Sequence, residues 1–406
     1  MQLLLMCPFR MLPALLVLLL AGTCAHAQPP GLALSWSVDL GPKPLWYRLE
    51  GVTLAGNGQV VVSAIGDLKS VSEPARNEIW VWQLDAAGKP VLAAQVEKPQ
   101  KDSQGNALDS AVTGRMTTTT GDPAHTALIV DFVDGQPWLV PLTPDGGPAG
   151  RFEIPRTSKR LQVRSAIALT GGGYVLAAVD GKESVLIKLD ATANAVWRKP
   201  CVHDLQFCYV SGDALADGGF VLAVGASGLG EQTSPLQGIV WIGRFDGEGA
   251  QGAERFIDGG QPKCSSLPDG RVALLWEVPQ GAQKPVHVAM LDVAFDTIWD
   301  STVLPAASAL DTFEVAASMT GCAVGGSLEE KPFAALLDNE GKKYWEYWGQ
   351  SETKSALYGL AMPDPSQVYL ASSVFIQEEQ EWRGMVRVRR FAVPASQAPA
   401  PESKTQ

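Results

Sequence analysis

The sequence predicts an all-β chain made of seven copies of a four-stranded antiparallel unit. Three observations predict it. A Leu-Asp…Trp spacing recurs, a tight turn precedes most copies, and no stretch carries a convincing helical period. The chain has 406 residues, of which 46% are hydrophobic and 18% charged, an ordinary globular composition with length enough for a large core.

The spacing is the clearest element. Leu189-Asp190 is followed by Trp197, Leu291-Asp292 by Trp299 and Leu337-Asp338 by Trp345, with the indole seven residues after the acid each time. Weaker copies are Leu84-Asp85 with Leu92 and Phe245-Asp246 with Ala253, and a degenerate copy covers 142–146. An Asp in a short turn accepts backbone N–H groups two residues on and fixes the turn. The recurrent Asp therefore reads as structural.

The second element is the turn ahead of each copy. Examples are Leu54-Ala-Gly-Asn-Gly-Gln-Val60, Leu169-Thr-Gly-Gly-Gly-Tyr-Val175, Leu215-Ala-Asp-Gly-Gly-Phe-Val221 and Leu267-Pro-Asp-Gly-Arg-Val272. Gly and Asn supply the positive φ of tight hairpins. The runs that follow, such as 174–178, 220–224 and 272–276, are short, apolar and β-prone, and read as buried strands. The Ala-rich segment 306–318 is interrupted by Thr312-Phe-Glu-Val315 and is not expected to be a helix.

One such unit cannot bury both faces of its sheet, whereas a ring of units can. The expectation is a seven-bladed β-propeller over residues 28–394, with blade 2 (107–154) the least regular. The last unit lacks a fourth strand. The segment Leu32-Ala-Leu-Ser-Trp36-Ser-Val-Asp-Leu40 looks like the missing one, so residues 32–40 are expected to pair with the C-terminal blade and close the ring.

The string from Gly171-Gly-Gly-Tyr-Val-Leu-Ala-Ala178 to Val185-Leu-Ile-Lys-Leu-Asp190 and Trp197 resembles the repeats of uncharacterised exported bacterial β-propellers. Similar units cover most of 32–393. The pattern is also distantly similar to quinoprotein-like propellers, whose enzymes use a calcium-bound quinone beside adjacent cysteines. No two cysteines are adjacent here. The resemblance implies fold and leaves activity open.

Residues 1–27 read as a signal peptide: Arg10, an apolar run from Met11 to Leu20, then Ala25-His26-Ala27. Cleavage after Ala27 predicts a periplasmic or secreted protein with no transmembrane segment. A lipoprotein acylated at Cys24 is the alternative, and Thr23 fits it poorly. Cleavage moves the formal charge from −11 to −12, which disfavours nucleic acid as a partner. Residues 395–406, rich in Pro, Ala and Ser, read as a disordered tail.

Four cysteines remain after cleavage. Cys201 and Cys208 flank a short segment and are the expected disulfide. Cys264 and Cys322 lie in different repeats and could pair only if the ring brings them together; the favoured reading is free buried thiols. His125, His203 and His287 are scattered, so no metal site and no cofactor are expected. Loops entering the innermost strands define a channel mouth, where Trp46, Tyr47, Asp102, Arg164, His203, Asp204, Asp311 and Tyr358 are the ligand-binding candidates. No catalytic residue is identified.

The expected function is recognition: an exported, monomeric, non-enzymatic propeller that binds or scaffolds a protein, peptide or glycan. One alternative is a hydrolase or lyase acting on a sugar or lactone, with a carboxylate or metal site at the channel mouth. A second is a quinone-dependent oxidoreductase.

Overall fold

The chain closes on itself. In the computed structural model, strand Ala33–Leu40 pairs antiparallel with Glu381–Ala392, so the N-terminal segment is the outermost strand of the C-terminal sheet. The structure describes residues 33–392 except 42–45, 56, 68–77, 97–111, 119, 133–136, 159–160, 202, 204, 206, 226–237, 279–283, 305–312, 329–330, 350–353, 365 and 379–380. The signal segment, Cys24 and the 395–406 tail lie outside the described residues.

Seven sheets follow one another around a ring. Blade 1 comprises Trp46–Leu54, Val60–Asp67, Glu78–Leu84 and Pro90–Val96, from the axis outward. Blade 2 comprises Val112–Thr118, Ala127–Phe132, Pro137–Pro141 and the two-residue Phe152–Glu153. Blades 3 to 6 begin with the innermost strands Leu161–Ala168, Tyr209–Ala214, Gly260–Ser266 and Phe313–Ser318. Blade 7 holds Lys354–Asp364, Gln367–Glu378, Glu381–Ala392 and then Ala33–Leu40. Blade 3 gains a short parallel partner, Thr120–Gly121. A short 3-10 turn spans Pro123–His125, and among the described residues no helix is long and apolar enough to cross a membrane. The interrupted Ala-rich segment ends in strand Phe313–Ser318, as its β-prone residues predict.

The core lies between blades. Each of the seven blade–blade interfaces holds its own cluster of buried side chains. Second strands such as Phe220–Gly225 are buried on both faces, and each fully buried Val, Leu or Phe contributes about 1.5–3 kcal/mol. Outermost strands such as Gln251–Asp258 alternate, with one face turned to water.

The recurrent Asp does what its turn requires. Asp85 Oδ1 accepts from the N–H groups of Ala87 and Lys89, both at 2.9 Å. Asp190, Asp246, Asp292 and Asp338 accept from the same two relative positions at 2.8–3.0 Å. In blade 2 the hydroxyl of Thr143 stands in, accepting from Gly147 N at 3.1 Å. Three residues after the Asp the backbone turns left-handed, at Gly88, Gly249 and Gly341, but also at Ala193 (φ 64°) and Phe295 (φ 67°).

The glycines have a second reason. The indole of Trp36 meets Gly88 of blade 1, Trp197 meets Gly249 of blade 4, and Trp299 meets Gly341 of blade 6. A Cβ there would stand 2.4–2.8 Å from the ring. Where the turn carries Phe295 instead, the outermost strand of the preceding blade holds no indole, and its Arg255 Nη1 donates to Phe295 O at 2.7 Å. Trp345 wedges against Phe391, with ring centroids 5.4 Å apart.

Candidate functional site

The innermost strands surround a cavity of about 420 Å³ on the ring axis. An innermost strand has a ladder partner on one side only, so N–H groups on its free edge need other acceptors. Neighbouring blades supply them. Ser211 Oγ accepts from Cys264 N at 3.1 Å, Ser265 Oγ from Ala317 N at 3.1 Å, and Ser373 Oγ from Leu49 N at 2.8 Å. Thr120 Oγ1 donates to Gly212 O at 2.6 Å, and Lys263 of blade 5 pairs with Glu314 of blade 6. Small polar residues on these strands and on strands beside them thus stitch blade to blade around the channel.

Five of the seven innermost strands, those of blades 1, 2, 3, 5 and 7, shift register against their neighbour, and in blades 1 and 3 the residue left out of the ladder is charged. Blade 1 has a bulge between Leu49 and Gly51, and blade 3 has one between Val163 and Ser165. The extra residues are Glu50 and Arg164, and both line the cavity. A bulge leaves one residue outside the strict alternation and re-aims its side chain. Glu50 is paired with Arg48 at 2.5 Å. Arg164 donates through Nη2 to the neutral Gln162 at 3.0 Å, and its buried Nε has no partner.

Asp213 occupies the wall of blade 4. It accepts from Ala214 N at 2.9 Å and from Ser266 N of blade 5 at 2.7 Å. Burial pushes its carboxyl up to about 6, against hydrogen bonds from Ser266, Ala214 and Ser265 that pull the other way. Beside it, burial pushes the Cys264 thiol up to about 12, so this sulfur stays protonated and inert.

The sequence candidates scatter. Arg164 lines the channel. Tyr47 is 1% exposed and packs edge-on against Trp82, with ring centroids 5.6 Å apart, and burial raises its phenol. It is core. Trp46 and Tyr358 fall in innermost strands, but their side chains are outside the described residues, as are Asp102, Asp204 and Asp311. His203 stands away from the channel. Its Nε2 contacts Glu254 Oε2 at 2.7 Å on the outermost strand of blade 4, beside Trp241 and Phe256. There Glu254 is held low by hydrogen bonds from Trp241, His203 and Gln251.

Cys201 and Cys208, one buried and the other exposed, carry no disulfide in the structure, so the bridge expected between them is not formed there. Cys264 and Cys322 are free and buried, as read from sequence. Among the described residues no group of three His, Cys, Asp or Glu could hold a metal ion. Sequence reading passed over Glu50, Asp213, Lys263 and Glu314. They sit inside strand patterns, and only the ring geometry turns them to the axis.

The class of protein these features define is a seven-bladed β-propeller with a polar axial channel. No family model and no curated protein sequence matches the chain. Among solved structures, the WD40 domain of coronin from Toxoplasma gondii is 11% identical, with 92% of this chain and 89% of that one covered at a TM-score of 0.52. The polysaccharide lyase Uly1 is 9% identical, with coverages of 91% and 94% and a TM-score of 0.51. Both likenesses are of fold alone.

Proposed function

We propose that the protein is a recognition propeller that holds a polar ligand, a glycan or peptide, in its axial channel. One observation carries the reading: of the five innermost strands whose ladder is interrupted, two place a charged residue at the interruption, Glu50 and Arg164, and both line the cavity. A bulge costs ladder hydrogen bonds, and a regular strand would stitch blades equally well. The volume of about 420 Å³ falls in the range of small-ligand pockets. Titration of the purified protein with glycan and peptide panels by calorimetry tests it. Saturable binding that a Glu50→Gln, Arg164→Gln double variant loses is the expected result. Binding that survives this change puts the ligand elsewhere.

A second reading, a hydrolase or lyase acting on a sugar, is favoured by Asp213. A carboxyl poised at about 6 in a cavity wall suits proton transfer near neutral pH. Turnover of a bound sugar that Asp213→Asn abolishes would establish this reading. Binding without turnover removes it.

A further inference from the structure

We infer that the channel's ligand bears a carboxylate, which docks on the guanidinium of Arg164; this rests on the recognition reading above. Charge pairing singles Arg164 out. Lys263 is matched by Glu314, and Glu50 by Arg48. Arg164 forms no ion pair among the described residues. Among those residues its side chain makes one hydrogen bond, at 3.0 Å to the neutral amide of Gln162, and its buried Nε has no partner. A buried cationic donor without an acceptor costs free energy that an arriving anion returns.

The geometry of the donor selects the anion. A guanidinium presents a planar fork that matches a carboxylate through two parallel N–H···O bonds. Gln162 takes one N–H of Nη2, and the other N–H of that nitrogen completes a fork, with Nε on one side of the guanidinium or with Nη1 at its end. Charge selects in the same direction. One uncompensated cation balances one negative charge. A phosphate dianion would bring a second charge into a wall that already carries Glu50, Asp213 and Glu314. The rest of the wall is rich in hydroxyls and backbone amides, Ser211 and Ser265 among them, which suits a hydroxylated ligand. The class is therefore a hydroxy carboxylate, presented either as a free sugar acid or as an acidic residue of a glycan.

The experiment uses the full chain and four probes: D-glucuronate, its neutral methyl ester, D-glucose and a galacturonate trisaccharide. Binding is followed by saturation-transfer NMR and calorimetry. The expected result is that glucuronate or the trisaccharide binds about tenfold or more tighter than the ester and glucose. Arg164→Gln loses that preference and Arg164→Lys keeps part of it, while circular dichroism reports an unchanged fold. Preference for the trisaccharide assigns the ligand to a glycan, and preference for glucuronate assigns it to a free acid. Equal affinity for acid and ester overturns the carboxylate and leaves the recognition reading standing. So does an acid preference that Arg164→Gln retains, which would place the anion on another cation. Failure of all four probes, with binding found only among peptides lacking a carboxylate, overturns it as well.

Discussion

Gly88 lies beneath the indole of Trp36, close enough that a Cβ would stand 2.4 Å from the ring, while Trp36 Nε1 donates to Ala86 O at 2.9 Å. Trp36 belongs to the strand that completes blade 7, and Gly88 to the Asp85 turn of blade 1. The contact therefore seals the ring at the junction between the chain's two ends. The bidentate pair from Arg387 to Asp39, at 2.6 and 2.8 Å, ties the same strand to its neighbour.

Gly88→Ala is expected to cost about 2–4 kcal/mol, from overpacking against the indole together with the left-handed backbone. Gly58→Ala isolates the backbone part. Gly58 has φ +76° and nothing within 4 Å of an added Cβ. Its cost is expected near 1 kcal/mol. Urea unfolding of the two variants checks the difference. Equal costs would mean that the indole does not press on the turn.

The turn acids make a second prediction. Asp292 Oδ1 accepts from Ala294 N at 2.9 Å and Asp296 N at 2.8 Å. Asp292→Ala removes the acceptor of both bonds and is expected to lower stability by about 1–2 kcal/mol, with Asp292→Asn recovering about half. Ligand binding in the channel stays unchanged in either variant, because these turns lie between the third and outermost strands. Weakened binding at unchanged stability would give the acid a role beyond the turn.

The scaffold was legible because its chemistry is local. An Asp that caps its own turn and an indole seven residues later leave a spacing that survives without knowledge of neighbours, and the unpaired strand at Trp36 could be matched to the incomplete last blade. The left-handed residues Ala193 and Phe295 were not legible, since only Gly or Asn advertises that conformation. The channel was less legible still. Leu49-Glu50-Gly51 and Val163-Arg164-Ser165 look the same with or without a bulge, and the bulge decides where the charge points. Tyr47 was misleading because a phenol at a strand start suits a ligand site as well as a blade interface. His203 finds its partner on a strand about fifty residues away, at Glu254, a pairing that no local pattern encodes.

The thiols supply a third prediction. Burial pushes Cys264 and Cys322 up to about 12, so neither is a thiolate at neutral pH. Cys208 is exposed. Alkylation of the folded, reduced protein followed by peptide mass spectrometry is expected to label Cys208 first, and Cys264 and Cys322 only on unfolding. Labelling of Cys264 in the native state would contradict its burial. If Cys208 becomes reactive only after reductant is added, the Cys201–Cys208 bond expected from sequence forms in the oxidised protein.

Asp213 joins blade 4 to blade 5 through Ser266 N, and burial raises its carboxyl from 3.8 to about 6. The native state therefore holds this proton over a range where the unfolded chain has released it. With more protons bound in the native state, stability falls as pH rises between about 4 and 6, and levels off above. Burial also raises Glu277, which adds a slope of the same sign, so the variant difference is the useful quantity. Asp213→Asn keeps an acceptor for Ser266 N and removes the titration. The stability gap between wild type and Asp213→Asn is expected to shift in favour of the variant as pH rises from 4 to 6, and to stay constant from 7 to 8. Denaturant titrations at those pH values measure it. A gap independent of pH would show that the carboxyl is solvated and that the wall between blades 4 and 5 is open to water.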